Sequence, residues 1–269
     1  MKGVSMKEKL RIFIADPAGN RTIFVLSPVE RSRYSSLSEK LLSLEQLDGE
    51  QVAFIRPEME GCLRRMEMGG MEFCGNASRS FGLYLAKAQG LSGVVQVEIQ
   101  VSGINHPLWV TANTDQDTAS VEMPLPLTHD QLDFEGQPLP LVVFEGILHV
   151  IAVGMPATEK SFAGIKEEVL KKYDPSALGV MFFQEEKQFM TPVVWVKDIN
   201  STFFEGSCGS GSVALACALT DSIESGQHRF TIHQPKGHLM VNIHKDQGQI
   251  TRLLLDGKVE LSEPMEIEL

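Results

Sequence analysis

Cysteine is scarce in this chain. Four occur in 269 residues, at Cys62, Cys74, Cys208 and Cys217, too few for a disulfide framework at this length. No Cys-x-x-Cys pair is present, and the seven histidines show no ligand spacing near the cysteines, so no metal site is expected. Positive charge is also short. Lys and Arg total 24 against 35 Asp and Glu, a formal net charge of -11 at pH 7. That balance argues against nucleic acid or an anionic membrane as the main partner, since each requires a basic face. It leaves room for a local cationic pocket. No apolar run reaches the roughly 18–20 residues that span a bilayer. The opening Met1–Lys9 stretch is polar, without the apolar segment of a targeting signal. The expected setting is the reducing cytoplasm, where thiols stay free.

What is present suits a globular protein. Hydrophobic residues make up 43 %, enough to exclude a disordered chain. The length fits one large domain or two of about 130 residues each. The pattern predicts strands at 10–16, 22–26, 51–55 and 63–67, with a surface helix over 30–47. A mostly buried helix over 77–89 follows Cys74 and stops at Gly90. Strands then read at 94–101, 108–111 and 120–123, with a turn at Ser102-Gly103. Pro124 to Pro140, rich in Pro, Asp and Gly, is the best candidate for a linker. Beyond it come a strand at 147–153, a charged helix at 161–172, strands at 179–183 and 191–196, and a helix from Gly211 to Ser222. Strands at 229–233, 238–244, 250–255 and 258–261 close the chain. Trp109 and Trp195 read as core residues.

This order repeats. Glu72-Phe73-Cys74-Gly75-Asn76 and Gly206-Ser207-Cys208-Gly209-Ser210 each open an apolar helix, and positions 74 and 208 lie 134 residues apart, close to half the chain. Each helix is followed by two strands joined by a Gly-containing turn. Repeated units of this kind imply two similar domains related by a pseudo-twofold, with a ligand between them. The expected division is residues 1–126, joined by the last strand at about 260–269, and residues 127–259.

A cysteine at a helix start has specific chemistry. The helix end offers unpaired backbone N–H groups and the positive pole of the macrodipole. A thiolate there is expected to fall below the ordinary thiol value of about 8.5. The following glycine lets backbone approach a ligand, and the same N–H groups can seat a carboxylate. Two such thiols, one per half, could take a proton from one face of a carbon and return one to the other. That is stereoinversion without a cofactor, with the carbanion stabilised through the substrate carboxylate. Cys62 and Cys217 lack this context and read as packing residues. His149, His233 and His238 read as exposed or structurally satisfied, and Glu205 either as a helix-entry charge or as a site residue.

At Cys74-Gly75-Asn76 and Cys208-Gly209-Ser210-Gly211 the sequence resembles the diaminopimelate-epimerase-like superfamily of pyridoxal-phosphate-independent racemases and epimerases. Gly19-Asn20, Glu50-Gln51-Val52 and Pro235-Lys236-Gly237 extend the likeness over nearly the whole chain. The resemblance implies an α/β (α+β) fold of two pseudo-symmetric domains, each a curled, mostly antiparallel sheet around a central helix. It implies Cys74 and Cys208 as the acid–base pair. Gly75, Asn76, Gly209 and Ser210 would hold the α-carboxylate, and Asn20 and Gln51 would line the pocket. No cofactor and no metal are implied; the partner is a small amino acid, and a homodimer is allowed by analogy.

Departures from the diaminopimelate pattern bear on the substrate. Arg65-Met66-Glu67-Met68, Gly154-Met155-Pro156 and Ala177-Leu178-Gly179 stand where those epimerases carry asparagines, and their Glu-Arg pair is missing, with only Glu205 nearby. A buried zwitterionic head group would lack partners there. The wording Glu72–Ala77, Ser207–Gly211, Phe230–Pro235 and Glu50–Ile55 is similar to the histidine racemases of staphylopine-type metallophore pathways. The implied substrate is histidine, with Met155, Phe203 or Phe204 against the ring and Glu50 or Glu205 accepting an imidazole N–H. Diaminopimelate, another amino acid, an isomerase of the phenazine-biosynthesis type and a non-catalytic amino-acid-binding protein remain as alternatives.

Overall fold

The computed structural model describes residues 8–56, 64–198, 200–220 and 223–269. Cys62, Leu63 at the start of one expected strand, and the last two residues of the expected 211–222 helix lie outside them. In chain order the elements are β1 (Lys9–Asp16), β2 (Thr22–Val25), α1 (Tyr34–Leu42), β3 (Gln51–Arg56), β4 (Arg65–Met68), α2 (Gly75–Ala88), β5 (Val94–Val101), β6 (Leu108–Asn113) and β7 (Thr118–Glu122). They continue as β8 (Thr128–Phe134), β9 (Gln137–Phe144), β10 (Ile147–Val153), α3 (Glu159–Leu170), β11 (Ala177–Gln184), β12 (Phe189–Val196) and β13 (Ser201–Phe204). The last are α4 (Gly209–Thr220), β14 (Gly226–Gln234), β15 (Gly237–Asp246), β16 (Gln249–Lys258), β17 (Glu260–Leu261) and β18 (Met265–Glu268). Two compact units result: Met1–Ala119 with Lys258–Leu269, and Ser120–Gly257.

In the first unit β1 pairs antiparallel with β2 and, on its other edge, with β17 and β18. β2 and β3 are parallel, with Thr22 opposite Gln51, and α1 makes the crossover between them. β3 and β4 are antiparallel, β4 and β5 parallel, β5 and β6 antiparallel. One face of this sheet carries Ile12, Ile14, Ile23, Val25, Val52 and Phe54, which pack on Tyr34, Leu37 and Leu41 of α1. On the other face Phe13 stacks on Phe24, with ring centroids 4.5 Å apart, and on Tyr84 of α2 at 4.0 Å. Alternation of side chains along a strand makes this double coverage possible. α2 is buried nearly all round, which only an enclosing sheet permits. It ends at Gln89, and Gly90 adopts φ 68° while Leu91 N–H reaches Ala86 O at 3.0 Å. The expected 30–47 helix is shorter: 3-10 turns at Arg31–Arg33 and Glu45–Leu47 flank α1, because Leu44 is extended and Asp48 is left-handed.

Trp109 is not in the core. Leu108 and Val110 take the inward positions of β6, so the intervening Trp109 faces out and is 50 % exposed. Trp195 is buried, donates to Asn200 Oδ1 at 3.0 Å, and has Lys166 Nζ 4.0 Å from its ring centroid.

The second unit corrects the linker expectation. Residues 128–144 form the β8–β9 hairpin, turning at Glu135-Gly136, both with positive φ, where Asp133 Oδ1 accepts from Gly136 N–H at 3.1 Å. Pro138 and Pro140 lie in the part of β9 that pairs with β8 before its pairing with β10 begins at Leu141, so the missing N–H groups leave no second ladder broken. β9–β10 is antiparallel, β10–β11 parallel through α3, and β11–β12 and β12–β13 antiparallel. β14 touches β12 in parallel at one residue pair and continues antiparallel into β15 and β16. Leu148, Val150, Leu178, Val180, Val193 and Trp195 pack against Phe162, Ile165 and Val169 of α3. α4 packs on β9, β10, β11, β14 and β15 and, like α2, is buried over most of its surface.

The order β1-β2-α1-β3-β4-α2-β5-β6 in one unit thus recurs as β9-β10-α3-β11-β12-α4-β14-β15 in the other, with the same parallel and antiparallel sense at each step. β13, which the sequence pattern did not indicate, is the insertion in the second copy.

Candidate active site

Cys74 is the N-cap of α2. Its backbone is extended, with φ -131° and ψ 111°, and its Sγ accepts from Ala77 N–H at 3.4 Å. Cysteine here does what serine does in an ordinary cap, and Ser78 Oγ, donating to Cys74 O at 2.7 Å, ties the first turn down. The structure gathers three expected residues around this thiol. Gln51, at the start of β3, donates through Nε2 to Cys74 Sγ at 3.4 Å, to Asn20 Oδ1 at 2.9 Å and to Thr22 Oγ1 at 2.7 Å. Asn76 Nδ2 donates to the same Asn20 oxygen at 3.3 Å. The side-chain oxygen of Asn76 accepts from buried Arg79 Nε at 3.2 Å, so the Asn76 amide is committed inside the protein. Glu50 is further out and meets Asn20 Nδ2 at 3.4 Å.

A turn from elsewhere in the chain holds the segment leading into Cys74. Ser102 Oγ donates to Glu72 O at 2.7 Å and accepts from Met68 N–H at 2.9 Å. Gly103 has φ 74°, and a Cβ there would lie 2.4 Å from Phe73 N.

Cys208 sits at the same point of the second unit. Its backbone N–H donates to Gln234 Oε1 at 2.7 Å, and Gln234 Nε2 donates to Ser212 Oγ at 3.0 Å. Ser212 Oγ in turn donates to Cys208 O at 2.7 Å, the counterpart of Ser78. Here too a later turn clamps the approach: Lys236 N–H donates to Gly206 O at 3.0 Å, and its side chain lies over Gly206. Ser210 Oγ is 3.7 Å from Cys208 Sγ. A Cβ on Gly211 would fall 2.1 Å from Met181 Sδ and 3.2 Å from Cys208 Sγ, so the first turn of α4 needs glycine to lie this close to the thiol.

The expectation of lowered thiol values is overturned. Burial drives both thiols up, Cys208 well above the ordinary value. At Cys74 the amides of Ala77 and Asn76 and the Gln51 side chain pull the other way, and the charge of Glu72 adds to the rise. At Cys208 the Glu205 carboxylate reinforces burial, against the Gly211 amide and Ser210. Removing water from a sulfur anion costs more than one helix end returns. Burial also lifts Glu72.

The other expected residues are dispersed. Phe203 and Phe204 lie on β13 and are about half exposed, while Met155 packs against the α3-side core. Glu67 is fully buried and paired with Arg31, Arg65 and Tyr34, so the Arg65–Met68 stretch serves the first unit's framework. His233 and His238 are exposed cross-strand neighbours, and Cys217 is buried. His149, by contrast, is fully buried and touches Ser210 Oγ through Nε2 at 3.1 Å. Thr22, Glu72, Gln234 and His149 were missed by sequence reasoning. Glu72 and Gln234 carried a signal, within the Glu72–Ala77 and Phe230–Pro235 strings.

A family model described as the histidine racemase CntK N-terminal domain matches residues 9–264. The histidine racemase of Fusobacterium nucleatum is 34 % identical over 256 residues, covering 91 % of this chain and 92 % of the relative. That of Staphylococcus aureus is 30 % identical over 237 residues, covering 84 % and 85 %. Among solved structures, a hydroxyproline epimerase from Agrobacterium vitis superposes with a TM-score of 0.68 at 12 % identity, covering 98 % of this chain and 94 % of that one, a likeness of fold. Extended over almost its whole length by both the family model and these relatives, the chain belongs to the histidine racemase family.

Proposed function

We propose that this protein racemises free histidine at Cα, with Cys74 and Cys208 as the two acid–base groups and no cofactor. The observation that carries the reading is the doubled arrangement of a cysteine at the start of a buried helix, in a chain of the histidine racemase family. One cysteine, as thiolate, takes the α-proton: the Cα–H bond breaks and an S–H bond forms. The other, as thiol, delivers its proton to the opposite face of the carbanion. After one turnover the two have exchanged protonation states and no other group has changed. Backbone N–H groups at Gly75 and Asn76, and at Gly209 and Ser210, are suited to the α-carboxylate and to the charge that spreads onto it. Asn20 and Gln51 line the Cys74 side, and Glu50 and Glu205 are the candidates for the imidazole N–H. Both thiols must be reduced to act, which supports the cytoplasm as the place of action. The D-histidine formed suits incorporation into a metal-binding small molecule, the use implied by the metallophore resemblance.

Incubation of L- or D-histidine with the protein in D2O is expected to place deuterium at Cα and to converge on a racemic mixture. Cys74→Ser and Cys208→Ser are expected to abolish racemisation. Serine preserves the α2 cap, so the Cys74 variant should remain folded. A panel of amino acids including diaminopimelate serves as comparison. Faster exchange with another amino acid would overturn the substrate, and retained racemisation in either variant would overturn the mechanism.

A further inference from the structure

His149 lies on β10 with its ring turned toward α4, opposite Gly179 of β11 in the ladder. Gly179 makes room for it: a Cβ there would be 2.3 Å from His149 Nδ1. The Met181 methyl lies against the same spot, and Phe144 meets the ring edge-on at 6.1 Å between centroids. Among the described residues Nδ1 has no hydrogen-bond partner, whereas Nε2 is 3.1 Å from Ser210 Oγ. Ser210 Oγ is in turn 3.7 Å from Cys208 Sγ.

These contacts select one tautomer. The apolar cage keeps the ring neutral, its pKa pushed down to about 3 by burial. A neutral ring carries one proton. On Nδ1 that proton would be a buried donor without an acceptor, which is costlier than a buried lone pair. On Nε2 it meets the serine oxygen. With an oxygen lone pair so engaged, the serine O–H is directed to its other neighbour among the described residues, the Cys208 sulfur.

We propose that His149 is a positioning residue, fixing the Ser210 hydroxyl as a hydrogen-bond donor to Cys208 Sγ. Such a donor favours the sulfur anion over the thiol. It works against the groups that oppose ionisation, burial and the Glu205 carboxylate, and alongside the Gly211 amide. Gln234 is occupied by the Cys208 backbone N–H and by Ser212, and the Lys236 side chain lies over Gly206. At Cys74 the side-chain donor is instead Gln51 Nε2, 3.4 Å from the sulfur. The inference rests on the proposed role of Cys208, but it concerns the thiol and can be read without turnover.

The test is labelling of the full chain with methyl methanethiolsulfonate over a pH series, with each cysteine quantified by peptide mass spectrometry. Ser210→Ala and His149→Phe are each expected to slow Cys208 labelling about tenfold on the rising part of the profile, the equivalent of one unit of pKa. Both should shift that profile to higher pH and leave the Cys74 profile in place. His149→Gln, whose amide can donate to Ser210, is expected to restore most of the rate. Adding His149→Phe to Ser210→Ala should produce no further change. An unshifted Cys208 profile in folded Ser210→Ala, or a shift in Ser210→Ala that folded His149→Phe does not share, overturns the relay. If the His149 variants fail to fold, nitrogen chemical shifts of histidine-labelled wild-type protein decide: an Nε2–H ring supports the proposal and an Nδ1–H ring refutes it. Failure of the wild-type protein to racemise histidine, with the labelling shifts as expected, would instead fault the functional reading and leave the relay standing.

Discussion

Two kinds of ionisable residue are shifted most informatively at the smallest scale. The thiols of Cys74 and Cys208 are raised by burial, so in the free protein the base form is the scarce one. The thiolate fraction grows as pH rises toward a raised pKa. We therefore expect kcat/KM to climb through mildly alkaline pH, with no plateau near neutrality; a flat profile from pH 6 to 9 would contradict it. Glu67 behaves oppositely. Burial resists its ionisation, but hydrogen bonds from Arg31, Arg65 and Tyr34 prevail and bring its pKa to about 2. Its stabilising contribution is full above the ordinary carboxylate value and is lost as pH falls from about 4.5 toward 2. Glu67→Gln should cost on the order of 2 kcal/mol at neutral pH, below the loss for a fully enclosed pair because Arg31 is half exposed. The same variant should flatten the acid limb of a urea-denaturation series. Cys74 was legible in the sequence because a helix start is local. Its pKa was not, since it depends on how much of the chain covers it.

Elements decide where those side chains point. Each catalytic-candidate helix begins in a loop pinned by a later turn, Ser102-Gly103 for α2 and Gln234–Gly237 for α4. Gly103→Ala must strain a φ of 74° and press a methyl into the Phe73 backbone. It is expected to lower kcat more than tenfold by displacing Cys74, with far-ultraviolet circular dichroism nearly unchanged. A variant with normal kcat would show that the clamp is dispensable. α3 packs on β8 and β11 and carries none of the candidate site residues, so it gives a contrast. Thr158 caps it by accepting Ser161 N–H at 3.1 Å, so Thr158→Ala should cost about 1 kcal/mol of stability and leave activity intact. Helix existence was readable from apolar spacing and caps. The ends of α2 and α3 and the start of α4 shifted by two residues or fewer, those of α1 by four and five. The Pro124–Pro140 stretch misled because Gly136, Pro138 and Pro140 belong to a tight hairpin, and composition alone does not separate a hairpin turn from a linker.

For the molecule as a whole, the chain's last strand belongs with its first. β18 pairs with β1 from Lys9↔Glu268 to Ile12↔Met265. Deleting residues 265–269 leaves that edge of β1 unpaired, and we expect a lower thermal midpoint and greater aggregation on heating; an unchanged midpoint would argue that the pairing is unimportant. The sequence by itself determined the internal duplication and the two helix-opening cysteines. These rest on local spacing and on residue types whose chemistry travels with them. Tertiary structure decided the rest. It set the raised thiol pKa values, the turns that clamp each cysteine loop, the outward face of Trp109 and the contact of His149 with Ser210. Each depends on which distant segments are packed together, because burial and hydrogen-bond partners are properties of the folded neighbourhood rather than of the residue.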